Sequence, residues 1–537
     1  MASRWLVSLP GPSTDEDGLG DSRLVEVPVP TPQIGDHGVD AMSPVSADTI
    51  HLDLDTPSML KHHLIDRIEV VLTPDEIFLA GEKTRSHKPL DFGTMFSGTD
   101  SIVHLKSMIY DIMKEKFDVH SNVQAVNHMW SSDTADHSRK FIVHNHNPQR
   151  LFLNAEMCCA THGLDFISGA WHVVAEPLEV AASWECVNSS TMNVHWSDPS
   201  VSLACDNRGT RSGRTFGIWN EYLEIKKPII FVSEMVRSIA NHRNANSAVG
   251  LQPGDTDLDF IQNKWVGYGY AVGMVKVDPH KSCKVPNTRA RCHFLAVHAE
   301  KYCRRMHIPA TNAEDWCRQQ MTKALGLMER LEVDPFAKPI QEFLLPDDHP
   351  LVVRETENRR LLYLKRLEYQ EGRKRRRLVR DPREQKWVQL HQTMYHNAGF
   401  DFVHPDDMAT PARYVNNYWF LTKTPRKKSM IVFYDLLHPQ ADMDDKVTEA
   451  TLDVSQALDR VKLRLNSASC FTEMDEQFLI FKKRDLLGVE KLRLCGYSHF
   501  DWMAVQDQDA CKLAGNAISL FTMSSVLLAE YVYFPLQ

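Results

Sequence analysis

The sequence contains no Cys-x-x-Cys pair, although it holds 11 cysteines. That excludes the usual ligand spacing of a zinc ribbon or zinc finger. No apolar run approaches the roughly 20 residues needed to span a bilayer, and no secretory hydrophobic region follows Met1. The cysteines are therefore expected to be reduced thiols in a soluble, intracellular protein with no membrane partner. Positive charge is lacking too: the 537 residues carry a formal net charge of -9. A globally basic nucleic-acid binder is excluded, so any nucleic-acid surface must be a local basic patch. Internal repeats are also absent.

What is present reads as an ordinary globular chain, with 43% hydrophobic and 24% charged residues. Residues 1–55 are rich in Pro, Gly, Asp and Ser without periodicity, which predicts a disordered leader. Residues 56–89 are expected to form a small accessory segment, with a β-branched strand at 66–73. From residue 90 short apolar runs alternate with helical stretches: strands at 92–96, 123–129, 178–184 and 228–232, helices at 102–114 and 215–225. That alternation predicts an α/β domain over 90–299, built on a parallel sheet with ligands at the carboxyl ends of its strands. Beyond about residue 296 the chain turns helical and charged, at 315–333 and 355–396, giving an expected insert over 300–485. A return to the first domain over 486–537 ends in one apolar helix at 510–532.

Within the insert, residues 359–383 are markedly basic, with Arg373-Lys374-Arg375-Arg376-Arg377 at the centre. Such a run is either a solvated helix face or a phosphate-contacting patch. Four further segments place reactive or small residues where strands end. Phe92-Gly93-Thr94-Met95-Phe96-Ser97-Gly98-Thr99-Asp100 is a strand, a small-residue turn and a helix start, which leaves free N–H groups for a ligand. Cys186 follows the strand at 178–184; a lone Cys there is as readily an inert thiol. Arg289 and Arg291 alternate just before a strand at 292–297. Gly515-Asn516-Ala517 lies near the start of the last helix, where Asn516 could serve merely as a cap.

In this order the segments resemble the motif series of the DNA (cytosine-5) methyltransferase family, in a divergent eukaryotic form, from about residue 90 to the C-terminus. Phe96-Ser97-Gly98-Thr99 is similar to the family's F-S-G-x-G cofactor turn. Trp130-Ser131-Ser132-Asp133 resembles the second-strand terminus, whose acid holds the cofactor ribose. Leu151-Phe152-Leu153-Asn154 resembles the third, which meets the adenine. Cys186-Val187-Asn188-Ser189-Ser190 resembles the catalytic loop, Ser233-Glu234-Met235-Val236 the E-N-V motif, and residues 285–291 the P-Q-T-R-x-R block. Asp453-Val454-Ser455-Gln456 and residues 486–496 resemble the close of the target-recognition region, and Gly515-Asn516-Ala517 the final G-N-x block.

The resemblance implies a Rossmann-like core that binds S-adenosyl-L-methionine, an inserted target-recognition domain, and methyl transfer to cytosine C5. Cys186 would be the nucleophile, Glu234 the acid on the base edge, and Arg289 and Arg291 the residues holding base, loop or phosphate. Phe96, Ser97, Gly98, Thr99, Asp133, Asn154 and Asn516 would bind the cofactor. DNA, chromatin-associated recruitment factors and a nuclear location are the partners and place it implies. The departures matter. Glu185 replaces the Pro before the nucleophile, and an anion there raises a thiol pKa. Asn154 and Asp133 replace Asp and Glu, Asp100 takes the second turn glycine's place, and Met235 replaces Asn. Two alternatives therefore stay open: a catalytically inactive DNA- or chromatin-binding member, and an enzyme acting on cytosine in RNA.

Overall fold

The computed structural model describes residues 59–185, 210–240, 256–332, 338–373, 382–437, 449–458, 461, 463–497, 500 and 505–536. The expected leader, Cys186 with its loop and the centre of the basic run lie outside these residues.

Two helices open the described chain, α1 (Met59–Val71) and α2 (Pro74–Ser86). The strand expected at 66–73 is a correction: most of it is the end of α1. Its β-branched residues suggest a strand, but Leu60, Leu64 and Ile68 are buried together with His63 and Arg67. That spacing of three and four is helical and decides the conformation. Thr73 then caps α2, its hydroxyl accepting from the Glu76 N–H while Glu76 reaches back to the Thr73 N–H.

The α/β region follows as β1 (Leu90–Met95), α3 (Ser101–Lys116), β2 (Val126–Ser132), α4 (Asp136–Asn145), β3 (Leu151–Phe152) and α5 (Glu156–Cys159). A small hairpin, β4 (His162–Leu164) and β5 (Trp171–Val173), precedes β6 (Glu179–Ala182), α6 (Arg211–Lys226), β7 (Ile230–Val236) and α7 (Asp257–Gly267). Then come β8 (Tyr270–Val277), α8 (Pro279–Ser282) and β9 (Arg291–His298). The seven-stranded sheet has the order β3-β2-β1-β6-β7-β9-β8. It is parallel from β3 to β7, and β9 runs antiparallel to both β7 and β8. This is the expected Rossmann-like, mostly parallel core.

Side chains alternate between the sheet's two faces, as a period of two requires. On β7, Ile230 and Val232 join one apolar cluster with residues of α1, α3 and two later helices, α10 (Ala313–Leu331) and α17 (Leu520–Tyr533), while Phe231 and Met235 join the other. The second cluster is aromatic, built around Trp184, Trp219, Trp265 and Phe294. Burial on both faces is what makes a parallel sheet read as near-continuous apolar runs.

After β9 the chain forms α9 (Ala299–Arg305) and α10 (Ala313–Leu331), then α11 (Pro350–Arg373), α12 (Pro382–Asn397), α13 (Tyr418–Leu421) and α14 (Pro425–Leu437). Although residues from 300 onward read as insert by composition, α10 packs on β8 and α17. A second, antiparallel sheet has the order β11-β10-β12-β13, from β10 (Ala450–Asp453), β11 (Leu463–Leu465), β12 (Gln477–Leu479) and β13 (Arg484–Asp485). The chain closes with α15 (Gly488–Leu494), α16 (Asp507–Asn516) and α17 (Leu520–Tyr533). The single helix expected at 510–532 is thus two helices bent by 45°. Ala517 leaves the helical region with ψ 143°, and the Leu520 N–H donates to the Cys495 carbonyl at 2.8 Å. Asn516 consequently ends α16 rather than starting the last helix.

Candidate active site

Because β2 and β3 extend the sheet on one side of β1 and β6 extends it on the other, the strand order reverses between β1 and β6. In open α/β sheets such a switch point opens a crevice at the carboxyl ends of the strands. A cleft lies there. Its walls include Phe96, Ser97 and Thr99 from the turn after β1, Ala182 and Ser183 from the end of β6, and Asn516 from α16.

The turn is held from below. Phe96 and Gly98 both take positive φ, 53° and 57°. A side chain at Gly98 would meet only the Asn516 carbonyl, at 3.9 Å, so conformation rather than space requires glycine there. The Gly98 N–H donates to Asp133 Oδ2 at 2.8 Å, and the Ala135 N–H donates to Asp133 Oδ1 at 2.8 Å. Burial pushes the Asp133 carboxyl up to about 6 against those two bonds. Asp100, where a glycine is usual, adopts the left-handed region at φ 51° and heads α3. Its carboxyl is buried; Thr94 donates to it at 2.6 Å and Ser131 donates to the other oxygen. Asp100 therefore ties the turn to β2, a structural use for an acid in this position. Its pKa is raised by burial, with the hydrogen bonds and His146 opposing.

A second group sits at the same edge of the sheet. Glu234, near the end of β7, forms an ion pair with Arg291 at 2.6 Å, and both side chains are buried. The Ser183 hydroxyl donates to Glu234 Oε2 at 3.0 Å. Both guanidinium Nη atoms of Arg291 lie within 4.0 Å of Cys470 Sγ. His293, opposite Glu234 in the β7–β9 register, is pushed down to about 4 by burial and is neutral near pH 7.

Arg289 is differently employed. Its guanidinium donates to the Phe471 carbonyl at 3.3 Å and to the Gly515 carbonyl at 3.2 Å, and the residue is 2% exposed. It clamps the strand-connecting segment at 471–473 onto the end of α16. Gly515 permits that clamp, since a side chain there would sit 2.3 Å from the Glu473 nitrogen. Asn516 donates to Glu473 Oε1 at 2.7 Å on the same contact.

Of the sequence-derived residues, Phe96, Ser97, Thr99 and Asn516 line the cleft, Gly98 lies in the same turn and is hydrogen-bonded to Asp133, and Glu234 pairs with Arg291. Asn154 stands at the end of β3, where its Oδ1 accepts the Met157 N–H at 3.1 Å and so helps start α5. Cys186 lies outside the described residues. Its neighbour Glu185 forms an ion pair with Arg211 Nε at 2.6 Å, so the anion beside the thiol has a cation of its own. Sequence reasoning missed Ser183 and Tyr497. The latter's hydroxyl bonds Thr99 at 2.7 Å and Ser101 at 2.6 Å from the far end of the chain. No local pattern announces a contact of that range.

No family model matches the chain, and no curated protein matches it. Solved structures similar in backbone include the S. pombe Dnmt2 methyltransferase, with 11% identity and a TM-score of 0.37 over 82% of this chain and 98% of that one. Another is the Entamoeba histolytica methyltransferase EhMeth, with 12% identity and a TM-score of 0.39 over 84% of this chain and 100% of that one. A putative prophage-encoded DNA modification methyltransferase from E. coli gives 11% and 0.39, over 83% and 99% of the two chains.

Proposed function

We propose that the protein transfers a methyl group from S-adenosyl-L-methionine to C5 of cytosine in DNA, through an adduct of Cys186 with C6 of the base. One observation carries this reading. The strand that precedes Cys186 in sequence, β6, runs between β1, which leads into the glycine turn, and β7, which carries the buried acid. A ligand methyl near the first, the cysteine that follows the second in sequence and an acid on the third are the groups this transfer needs.

The residues fit the cofactor. The Gly98 backbone is open to a ligand, Asp133 keeps lone pairs for ribose hydroxyls beyond its two N–H partners, and α3 offers an N-terminus to a carboxylate. When bound, the cofactor supplies an electrophilic methyl group. C5 of cytosine is a poor nucleophile, so the Cys186 thiolate first adds to C6 and pushes electrons into the ring. Glu234, steadied by Arg291 and Ser183, hydrogen-bonds the N3/N4 edge of the base as charge develops there. After C5 has been methylated, loss of its proton expels the thiolate and restores the aromatic ring. A stacked base is unreachable from both faces, so the target must be flipped out of the duplex. The basic run that the sequence places at residues 359–383 is the proposed phosphate-contacting patch. Nuclear residence and recruitment by chromatin-associated factors belong to the same proposal.

The test is DNA carrying 5-fluorocytosine, incubated with S-adenosyl-L-methionine and the full chain or its Cys186→Ala variant. Fluorine cannot leave as the proton does. An adduct that survives denaturant with the parent and vanishes with the variant is expected. An adduct formed only on fluorinated RNA would move the substrate class. Silence on both, with the cofactor still bound, would leave a non-catalytic scaffold.

A further inference from the structure

The turn after β1 is built from backbone conformations that side chains resist. Phe96 and Asp100 take positive φ, 53° and 51°, although neither is glycine. Such residues persist only where their surroundings over-determine them. Two supports come from the neighbouring strands and their ends: Asp133 holds the Gly98 N–H, and Asp100 accepts from Thr94 and Ser131. A third comes from the far end of the chain, and the methyl-transfer reading gives it no part.

That support is Tyr497. Helix α15 ends at Leu494, and Gly496 follows with φ 96°. The Gly496 N–H donates to the Arg493 carbonyl, and the Tyr497 N–H reaches back to the Leu492 carbonyl, which closes the helix end. Past that reversal the Tyr497 hydroxyl lies 2.7 Å from Thr99 Oγ1 and 2.6 Å from Ser101 Oγ. The Thr99 hydroxyl in turn donates to Ser101 Oγ at 3.3 Å. Three hydroxyls thus close a ring in which each can donate once and accept once. All three residues are buried, Tyr497 completely. Burial raises the Tyr497 pKa, so the phenol keeps the proton that the ring needs. The body of α15 is tied to the second sheet and its connections. Glu490 accepts from Arg484 of β13 at 2.7 Å, and Lys491 donates to Asp475 at 3.1 Å.

We infer that Tyr497 is a positioning residue for the cofactor turn, holding its binding shape and linking that shape to the second sheet. Only the naming of the turn's ligand as S-adenosyl-L-methionine rests on the methyl-transfer reading. Without the phenol, Thr99 and Ser101 lose their common partner in a buried place, and the turn opens more often. A ligand that needs the closed turn then binds more weakly, in proportion to the fraction that stays closed.

The test is Tyr497→Phe in the full chain, which keeps the ring and removes the hydroxyl. Amide hydrogen exchange of the peptide spanning residues 94–101, without added cofactor, should quicken about fivefold, the worth of one buried hydrogen bond. Calorimetry should show S-adenosyl-L-methionine binding weakened by a similar factor. Thr99→Val should produce both effects, and the double variant should be little worse than either single one. Unchanged exchange in the turn overturns the inference, whether or not the cofactor binds. So does exchange that quickens equally across the whole sheet, since the loss is then one of global stability. Unchanged affinity in the variant of a parent that binds the cofactor overturns it too. If the parent binds no S-adenosyl-L-methionine while exchange in the turn still responds, the methyl-transfer reading fails and Tyr497 keeps its role.

Discussion

The two ends of the central sheet handle buried charge in different ways. At the carboxyl end each acid has its own fixed donors: Asp133 has two backbone N–H groups, and Glu234 has Arg291 and Ser183. At the amino end Lys106, Glu179, Glu530 and Lys83 share one another in ion pairs. Fixed donors leave an acid poised for a ligand, because its orientation does not depend on a neighbour's charge state. A shared network holds only while all its members are present. The first arrangement suits chemistry, and the second suits packing.

The sharpest way to break the carboxyl-end group is Glu234→Gln. It keeps the volume but weakens the bond proposed to stabilise charge on the base, so on that proposal the rate of methyl transfer should fall by about 10²–10³-fold. Cofactor affinity, measured by calorimetry, should change little, because Glu234 lies outside the turn. A variant with near-parental turnover would remove Glu234 from the mechanism and leave the Arg291 pair a structural one.

At the amino end the matching change is Lys106→Met. It leaves Glu179 and Glu530 facing each other without their common cation. Losing one partner of a buried network costs roughly 3–5 kcal/mol, read as the shift in a urea unfolding curve at neutral pH. Part of that loss should return on acidification, because burial and the opposing Glu530 already push Glu179 up, so protonation relieves the variant first. A loss below about 1 kcal/mol would show that solvent reaches the pair.

Much of this contrast was legible in the sequence at one end only. The turn at Phe96 to Thr99, Glu234 and the Arg289/Arg291 pair carry recognisable spacing, since each lies at or near a strand boundary, where the chain must present specific residues within a few positions. The amino-end network has no such grammar: Lys83, Lys106, Glu179 and Glu530 come from elements scattered over the whole chain. Each looks like an ordinary surface charge until α17 is packed against α2 and α3. Residues 66–73 failed for a related reason. Their β-branched content is a local preference, and burial of Leu60, Leu64 and Ile68 on the core overrode it. The break between α16 and α17 was hidden because apolar residues continue across it. Arg289 was found as well, and the structure shows its guanidinium on two backbone carbonyls, of Phe471 and Gly515.

A smaller effect sharpens the claim that the Asp133 bonds serve the cofactor. Asp133→Asn keeps the shape while weakening the acceptor for Gly98 and for a ribose hydroxyl, so affinity for S-adenosyl-L-methionine should fall about tenfold. The same variant tests the electrostatics. Folding raises the Asp133 pKa from its ordinary value of 3.8 to about 6. The proton is thus held more tightly in the folded state, and this residue's stabilising contribution is complete below pH 4 and lost as pH rises towards 6. Removing the titrating group should flatten that part of the stability profile, relative to the parent.

The smallest expected effect concerns the acid that precedes Cys186, the proposed nucleophile, in sequence. Glu185 alone would hold the Cys186 thiol up and slow it, but Arg211 stands 2.6 Å from the Glu185 carboxylate. Arg211 is largely exposed, so the pair adds little to stability, and Arg211→Gln should leave the unfolding curve within about 0.5 kcal/mol of the parent. Its effect should appear in chemistry instead. The bare Glu185 charge raises the thiol pKa, and alkylation of Cys186 by iodoacetamide, followed on its own peptide by mass spectrometry, should slow about two- to threefold. Screening distinguishes this from a packing change: the difference should shrink in 1 M salt, where the Debye length is about 3 Å. An alkylation rate that does not respond to Arg211→Gln would mean that Glu185 never bears on the thiol.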